Sequence, residues 1–308
     1  MRRALLPAVA MLLIAPLLVP ASAEPARLEP QGPAKVRFAK DFPKLKDSEW
    51  KFALGGFGGV RRKAPRRHVP VIFVHGNNTD HGDWYPVRDD FRAAGWNDQE
   101  LWALSYNGLG GNNGTALTRE NPEAMAERQD LGGSGVGRVT ENDVNVPDLY
   151  AFIKAVRAYT GSTRFSLVGH SLGVTLARKT LKVHPELRRD LVAFVSISGG
   201  NHGTAFCPPG SEGNVTSCDE IAAGTAWLAA LNGPGGRDET YGRTKWLVVY
   251  EGTGTLDVAF PGPTYADSPL LRGATVAAYP HTYHNDLRIK PEIVRGYREF
   301  LERAERAR

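Results

Sequence analysis

The segment Val168-Gly169-His170-Ser171-Leu172-Gly173 carries the strongest fold information in the chain. Residues 165–168 read as a short strand and residues 172–183 as a helix that follows it directly. Glycines two positions before and after the serine suit a sharp strand-to-helix turn, because larger side chains would collide with both elements. This G-x-S-x-G pattern predicts a nucleophilic Ser171 above the carboxyl edge of a sheet, near the positive end of a helix dipole.

Strands and helices alternate on both sides of this segment. Further strands are predicted at residues 69–74, 101–106, 191–198, 246–250 and 275–278, and further helices at 84–94, 141–159, 219–231 and 291–306. Such alternation predicts one doubly wound α/β domain over residues 69–308, with a mostly parallel sheet and helices on both faces. Residues 24–68 are expected to be a solvated leader, and the glycine-rich residues 107–138 an insertion.

The composition is that of an ordinary globular protein, with 42% hydrophobic and 23% charged residues among 308. The net charge of +5 comes from 38 basic and 33 acidic residues that are interleaved along most of the chain, so nucleic-acid binding has no compositional support beyond one short basic run at 61–67. We expect a monomer.

The amino-terminal segment has the pattern of a signal peptide over residues 1–23. Arg2 and Arg3 precede an apolar run at 4–19 that ends in Ala21-Ser22-Ala23. A permanent membrane anchor is the weaker alternative, because prolines interrupt the run and no second hydrophobic run follows. The mature protein is therefore expected outside the cytoplasm, extracellular or periplasmic, without stable membrane insertion; the paired arginines leave the twin-arginine route open.

The two cysteines of the chain, Cys207 and Cys218, lie in one Pro/Gly/Ser-rich loop. Thiols outside the cytoplasm tend to oxidise, which predicts one disulfide; two free thiols are the alternative. Neither cysteine has metal-ligand neighbours, so no metal site is expected.

A second loop at the same sheet edge is Val74-His75-Gly76-Asn77-Asn78. Backbone N–H groups there can hold the negative charge that develops on a carbonyl oxygen during acyl transfer. The amides of Asn77 and Leu172 are the predicted oxyanion donors, and Asn78 is a candidate substrate contact. His75 precedes the serine, against the order serine, acid, histidine, and is expected to brace the loop.

The catalytic acid and base are expected after the strand at 246–250. Asp257 is the preferred acid, with Glu251 and then Asp267 as alternatives. His284 is preferred over His281 as the base because it lies closest to the final helix. The three roles then fall at Ser171, Asp257 and His284.

These motifs, together with Ser198-Gly199-Gly200-Asn201-His202-Gly203-Thr204, resemble the α/β-hydrolase superfamily, and within it the secreted bacterial lipases and esterases of class 2. Secreted polyhydroxyalkanoate depolymerases look similar too. The resemblance extends over residues 69–301. It implies that the 201–204 stretch is a wall of the pocket, where His202 would line the acyl site or, alternatively, be a loop histidine bonded to backbone.

The implied activity is hydrolysis of a carboxylic ester through an acyl-enzyme, which needs no metal or organic cofactor. The insertion at 107–138 contains no Trp or Phe, which favours small or medium acyl esters or an exposed polymer. A polyester depolymerase is the main alternative, and an acyltransferase or a non-catalytic secreted binding protein are further ones.

Overall fold

The computed structural model describes residues 37–46, 48, 54–59, 66–77, 79–106, 142–208 and 216–308. Within them one seven-stranded sheet is formed by β1 (Gly55–Phe57), β2 (Val71–Val74), β3 (Leu101–Ser105), β4 (Phe165–His170), β5 (Leu191–Ile197), β6 (Lys245–Tyr250) and β7 (Thr275–Ala278). The strand order is β1-β3-β2-β4-β5-β6-β7. β1 is antiparallel to β3 and every other pair is parallel, which confirms the predicted sheet.

The helices of the described residues are α1 (Tyr85–Ala93), α2 (Asn142–Thr160), α3 (Leu172–Val183), α4 (Thr216–Ile221), α5 (Ala226–Asn232), α6 (Gly262–Tyr265), α7 (Asp286–Ile289) and α8 (Pro291–Arg306). Short 3₁₀ turns lie at His81–Trp84, Pro185–Arg189 and Pro234–Gly236. No helix in these ranges has both the length and the apolar character that a membrane crossing requires.

Two apolar layers cover the two faces of the sheet and bury its central strands on both sides. Phe152 of α2 and Leu176 of α3 pack on one face, and Phe91 of α1 and Tyr297 of α8 pack on the other. Strands β2 to β5 accordingly read as near-continuous apolar runs rather than alternating ones. The carboxyl ends of the parallel strands form one edge, from which the functional loops extend.

Two sequence expectations need correction. Residues 24–68 are not wholly a solvated leader, since β1 adds an edge strand to the sheet and its Phe57 is fully buried. The Gly-Gly-Phe strand is too short and too glycine-rich to show a periodicity. The single helix expected at 219–231 is two helices, α4 and α5, separated at Gly224, whose φ of 86° is incompatible with a continuous helix.

Several expectations lie outside the described residues. They are the signal peptide at 1–23, the insertion at 107–138 and Asn78.

Candidate active site

Ser171 lies on the tight turn between β4 and α3. Its φ of 54° and ψ of −126° place a non-glycine residue in a strained backbone conformation, as the sequence pattern predicts. A Cβ on Gly169 would lie 3.0 Å from atoms of the α3 backbone, and one on Gly173 would lie 2.3 Å from the carbonyl oxygen of His75 and 2.5 Å from that of Val74. The two glycines are therefore what allows β2, β4 and α3 to approach one another around the serine.

The loop after β2 lies directly against this turn. A Cβ on Gly76 would come within 3.1 Å of the Ser171 Cβ, so the following Asn77 is beside the serine. Asn77 is exposed and lines the same cavity as Ser171 and Leu172. The backbone thus brings the two expected oxyanion residues to either side of Ser171.

His75 has the geometry of a bracing residue. Its ring stacks on Tyr106 with centroids 4.0 Å apart, and the Tyr106 hydroxyl donates to the His75 carbonyl oxygen at 2.6 Å. The ring is fully buried, and burial lowers the pKa of His75 to about 4, so the imidazole is neutral at ordinary pH. Tyr106 follows β3 at the same sheet edge, a position that sequence reasoning did not use.

Asp257 and His284 meet as a carboxylate–imidazole pair. The distance from His284 Nδ1 to Asp257 Oδ1 is 2.8 Å, and both side chains are buried. Since an ionised carboxylate only accepts, Nδ1 carries the proton and Nε2 is left as the basic nitrogen. The Ser198 hydroxyl donates to the other carboxylate oxygen, and the Ala259 amide donates to Oδ1 at 3.0 Å.

Ser198 is a site residue whose role sequence reasoning missed. It follows β5 immediately and has a φ of 47°, so its side chain leaves the strand at the same edge as Ser171. A polar residue directly after a buried apolar strand was the available indication.

His170 connects the turn to the loop that carries His284. The His170 Nε2–H donates to the His284 carbonyl oxygen at 3.1 Å, and Arg288 donates to His170 Nδ1 at 3.3 Å. The His170 ring is therefore neutral, with its proton on Nε2 and none on Nδ1. Burial, followed by the charges of His284 and Arg288, lowers the pKa of His170 well below its usual range, which agrees with that tautomer. The two imidazole centroids are 4.7 Å apart, which places His284 beside the Ser171 turn.

The alternative acids and base do not form a comparable pair. Glu251 accepts from the amides of Thr253, Gly254, Thr255 and His281 and thereby closes its own loop. Burial raises its pKa, but hydrogen bonds from Thr253, His281 and Thr255 outweigh this and lower the pKa to about 2. The His281 ring is exposed and contacts the Thr255 hydroxyl at 3.1 Å, while Asp267 is exposed.

A cavity of about 160 Å³ opens beside Ser171. Its wall is mainly apolar and is formed by Leu172, Phe206, Ile221, Phe260 and the Cys207–Cys218 bridge, with Asn77, Thr175, Gly200, Thr204 and Ser217 completing the lining. The predicted disulfide is present, with its Cα atoms 5.1 Å apart. No group of three or more His, Cys, Asp or Glu in the described ranges is arranged to hold a metal ion.

His202 is placed differently from the acyl-site expectation. Gly200 and Thr204 on either side of it line the cavity, whereas its ring contacts the Ser268 carbonyl oxygen at 3.0 Å and Glu239 at 3.2 Å. Both ring nitrogens are thus engaged by the protein, and the geometry favours the alternative of a loop histidine. Phe206 and Phe260 also line the cavity, but no sequence pattern distinguishes them from the other phenylalanines of the chain.

Comparison with known families identifies the family of this chain. A model described as lipase (class 2) matches residues 68–125 and 135–233, more than half of the chain. The chain belongs to the class 2 lipase family. The matched segments contain the His75–Asn77 loop and Ser171, and they end before Asp257 and His284. A triacylglycerol lipase of Pseudomonas fragi is 29% identical over 105 residues, 32% of this chain and 35% of that relative, so the match spans about a third of the relative's length.

Solved structures share the fold of this chain. Lipase B of Aspergillus fumigatus aligns with a TM-score of 0.50 at 18% identity, over 74% of this chain and 51% of that one. An esterase of Pyrococcus furiosus aligns with a TM-score of 0.50 at 16% identity, over 85% of this chain and 90% of that one. Together with the sheet order, these likenesses confirm the α/β-hydrolase fold.

Proposed function

We propose that the protein is a secreted serine hydrolase of carboxylic esters in which Ser171, His284 and Asp257 form the catalytic triad. The observation that carries this proposal is the buried Asp257–His284 hydrogen bond of 2.8 Å at the sheet edge where Ser171 turns. The chemical order serine, acid, histidine along the chain agrees with that of the fold.

The reaction proceeds in two steps. His284 Nε2 accepts the Ser171 proton while the hydroxyl oxygen attacks the ester carbonyl, and Asp257 stabilises the imidazolium that forms. The amides of Asn77 and Leu172 hold the oxyanion, each contributing about 3 to 4 kcal/mol to the transition state. The imidazolium returns its proton to the leaving alcohol, and water activated by His284 then hydrolyses the acyl-enzyme.

The proposed substrates are esters of small acyl groups. A cavity of about 160 Å³ beside Ser171 is lined mainly by apolar side chains, and an apolar cavity of ~150 Å³ accommodates a molecule the size of benzene. An acyl chain of a few carbons therefore fits, whereas a long chain extends beyond this space.

Fluorophosphonate labelling followed by peptide mapping tests the nucleophile. The label is expected on the peptide that contains Ser171, and Ser171→Ala is expected to lose labelling and to lower kcat for p-nitrophenyl butyrate by about 10⁴-fold or more. Ser217→Ala is the matched control, because Ser217 lines the same cavity. Label on another residue, or turnover retained by Ser171→Ala, would overturn the assignment.

We also propose that the protein is exported from the cytoplasm and is a monomer. The Cys207–Cys218 disulfide is typical of oxidising compartments outside the cytoplasm. Amino-terminal sequencing of the protein from culture medium or periplasm is expected to show cleavage after Ala23, and light scattering a monomer mass. An uncleaved cytoplasmic product would argue against export.

A further inference from the structure

A wide basic groove lies at the sheet edge opposite to Ser171. Its volume is about 950 Å³, and we define the basic groove by its cationic lining residues Arg164, Arg188, Arg189, Arg243, Lys245 and Arg308. Arg164 precedes β4 and Lys245 begins β6, so the groove is at the amino ends of these strands. Since β4 has six residues of about 3.3 Å each, roughly 20 Å separates the groove from Ser171. The groove is therefore no part of the ester site.

The basic groove has little neutralising charge among its lining residues. Their one side-chain carboxylate, that of Asp190, is already bonded to Arg157 at 2.7 Å and to Arg189 at 3.0 Å. Burial, followed by repulsion from Arg164 and Arg243, lowers the pKa of Arg308. The guanidinium groups thus converge closely enough to repel one another, which an anion between them would relieve.

Buried donors in the groove lack acceptors within the described part of the chain. The Tyr241 hydroxyl belongs to a residue that is only 8% exposed, and it has no hydrogen-bond partner. Its ring lies 3.9 Å from the Arg188 guanidinium carbon, which fixes its position. Arg164 Nε and Nη2 are likewise buried and unpartnered. Unpaired buried donors are costly, so these groups indicate a ligand that supplies acceptors.

We propose that the basic groove binds a phosphate-bearing anion. Guanidinium forks, an ammonium group and a phenol hydroxyl are all donors, and the several oxygens of a phosphate accept from many donors at once. A lipid headgroup and a free phosphate share this chemistry. Because the groove and Ser171 lie at opposite sheet edges, the bound anion leaves the ester site open and is a ligand rather than a substrate.

Binding of two probes tests this proposal on the full-length mature protein. Inorganic pyrophosphate is titrated by calorimetry at low salt, and vesicles of phosphatidylcholine with and without phosphatidylglycerol are tested by co-sedimentation. Saturable binding of pyrophosphate identifies a free phosphate as sufficient, whereas binding only to phosphatidylglycerol vesicles identifies a headgroup surface. Absence of saturable binding to both probes overturns the proposal.

Matched variants separate the groove from general positive charge. Arg243→Gln/Lys245→Gln removes two exposed charges of the groove and is expected to weaken binding about tenfold or more. Lys290→Gln/Arg295→Gln removes two charges at the far end of α8, about 20 Å from Arg308, and is expected to leave the affinity within about twofold. Tyr241→Phe, which removes only the unpartnered hydroxyl, is expected to weaken binding about threefold or more. Equal weakening by the two double variants, or no effect of Tyr241→Phe, contradicts a built site.

Discussion

Replacement of Gly173 by alanine tests the close approach of α3 to β2. Gly173 is the second residue of α3, and within a helix this change normally stabilises by up to about 1 kcal/mol. Here the added Cβ would lie 2.3 Å from the His75 carbonyl oxygen and 2.5 Å from that of Val74. Both are backbone atoms that no rotamer change can move, so the overpacking cost lies in the upper part of its usual range, about 2 to 3 kcal/mol, and outweighs the helix preference. We expect a net loss of about 1 to 2 kcal/mol and a displaced oxyanion loop.

The assay is urea unfolding followed by circular dichroism, together with kcat/KM for p-nitrophenyl butyrate. Gly296→Ala is the matched control, because Gly296 is interior to α8 and its Cβ would meet only the Tyr279 hydroxyl at 2.9 Å, the far end of a side chain that can shift. The control is expected to keep full activity and wild-type stability within about 1 kcal/mol. A Gly173→Ala protein as stable and as active as the control would refute the reasoning.

Three further predictions concern Glu220 of α4, Ser198 and the disulfide. Burial raises the pKa of Glu220 from 4.5 to about 7, so its folded form binds the proton more tightly and the charged form is penalised. The free energy of unfolding of the wild type should therefore fall by about 3 kcal/mol relative to Glu220→Gln between pH 4.5 and 7; parallel urea midpoints at all pH values would contradict this. Ser198→Ala removes a donor from the buried Asp257 carboxylate, so kcat/KM should fall about tenfold or more and the free energy of unfolding by about 1 to 3 kcal/mol; an unchanged kcat/KM would exclude a positioning role. Cys207→Ser/Cys218→Ser should lower the free energy of unfolding by about 3 kcal/mol, because the bridge restricts the unfolded chain. Urea unfolding of the variant and of the wild type with and without reductant gives the check; a variant as stable as the oxidised wild type would refute the prediction.

The helices and central strands were predictable because their information is local. Buried parallel strands such as β5 are continuous apolar runs, and the strand-turn-helix around Ser171 is encoded within a few residues. The strand β1 was not predictable, because its three residues acquire their conformation by pairing with β3. The division of α4 from α5 was missed because one glycine in a helical pattern does not by itself end a helix.

The proposed nucleophile and oxyanion loop were predictable from short sequence motifs, where steric arguments need no distant partner. The disulfide, which the structure contains, was predictable because the two cysteines lie in one loop. The acid and base are different, since Glu251 and Asp257, like His281 and His284, are chemically equivalent candidates a few positions apart. The folded loops distinguish them. Glu251 accepts hydrogen bonds from backbone amides, whereas Asp257 faces His284 and accepts a hydrogen bond from Ser198, which follows β5. Contacts between side chains 27 and 59 positions apart depend on strand order and loop path, which nearest-neighbour preferences do not encode.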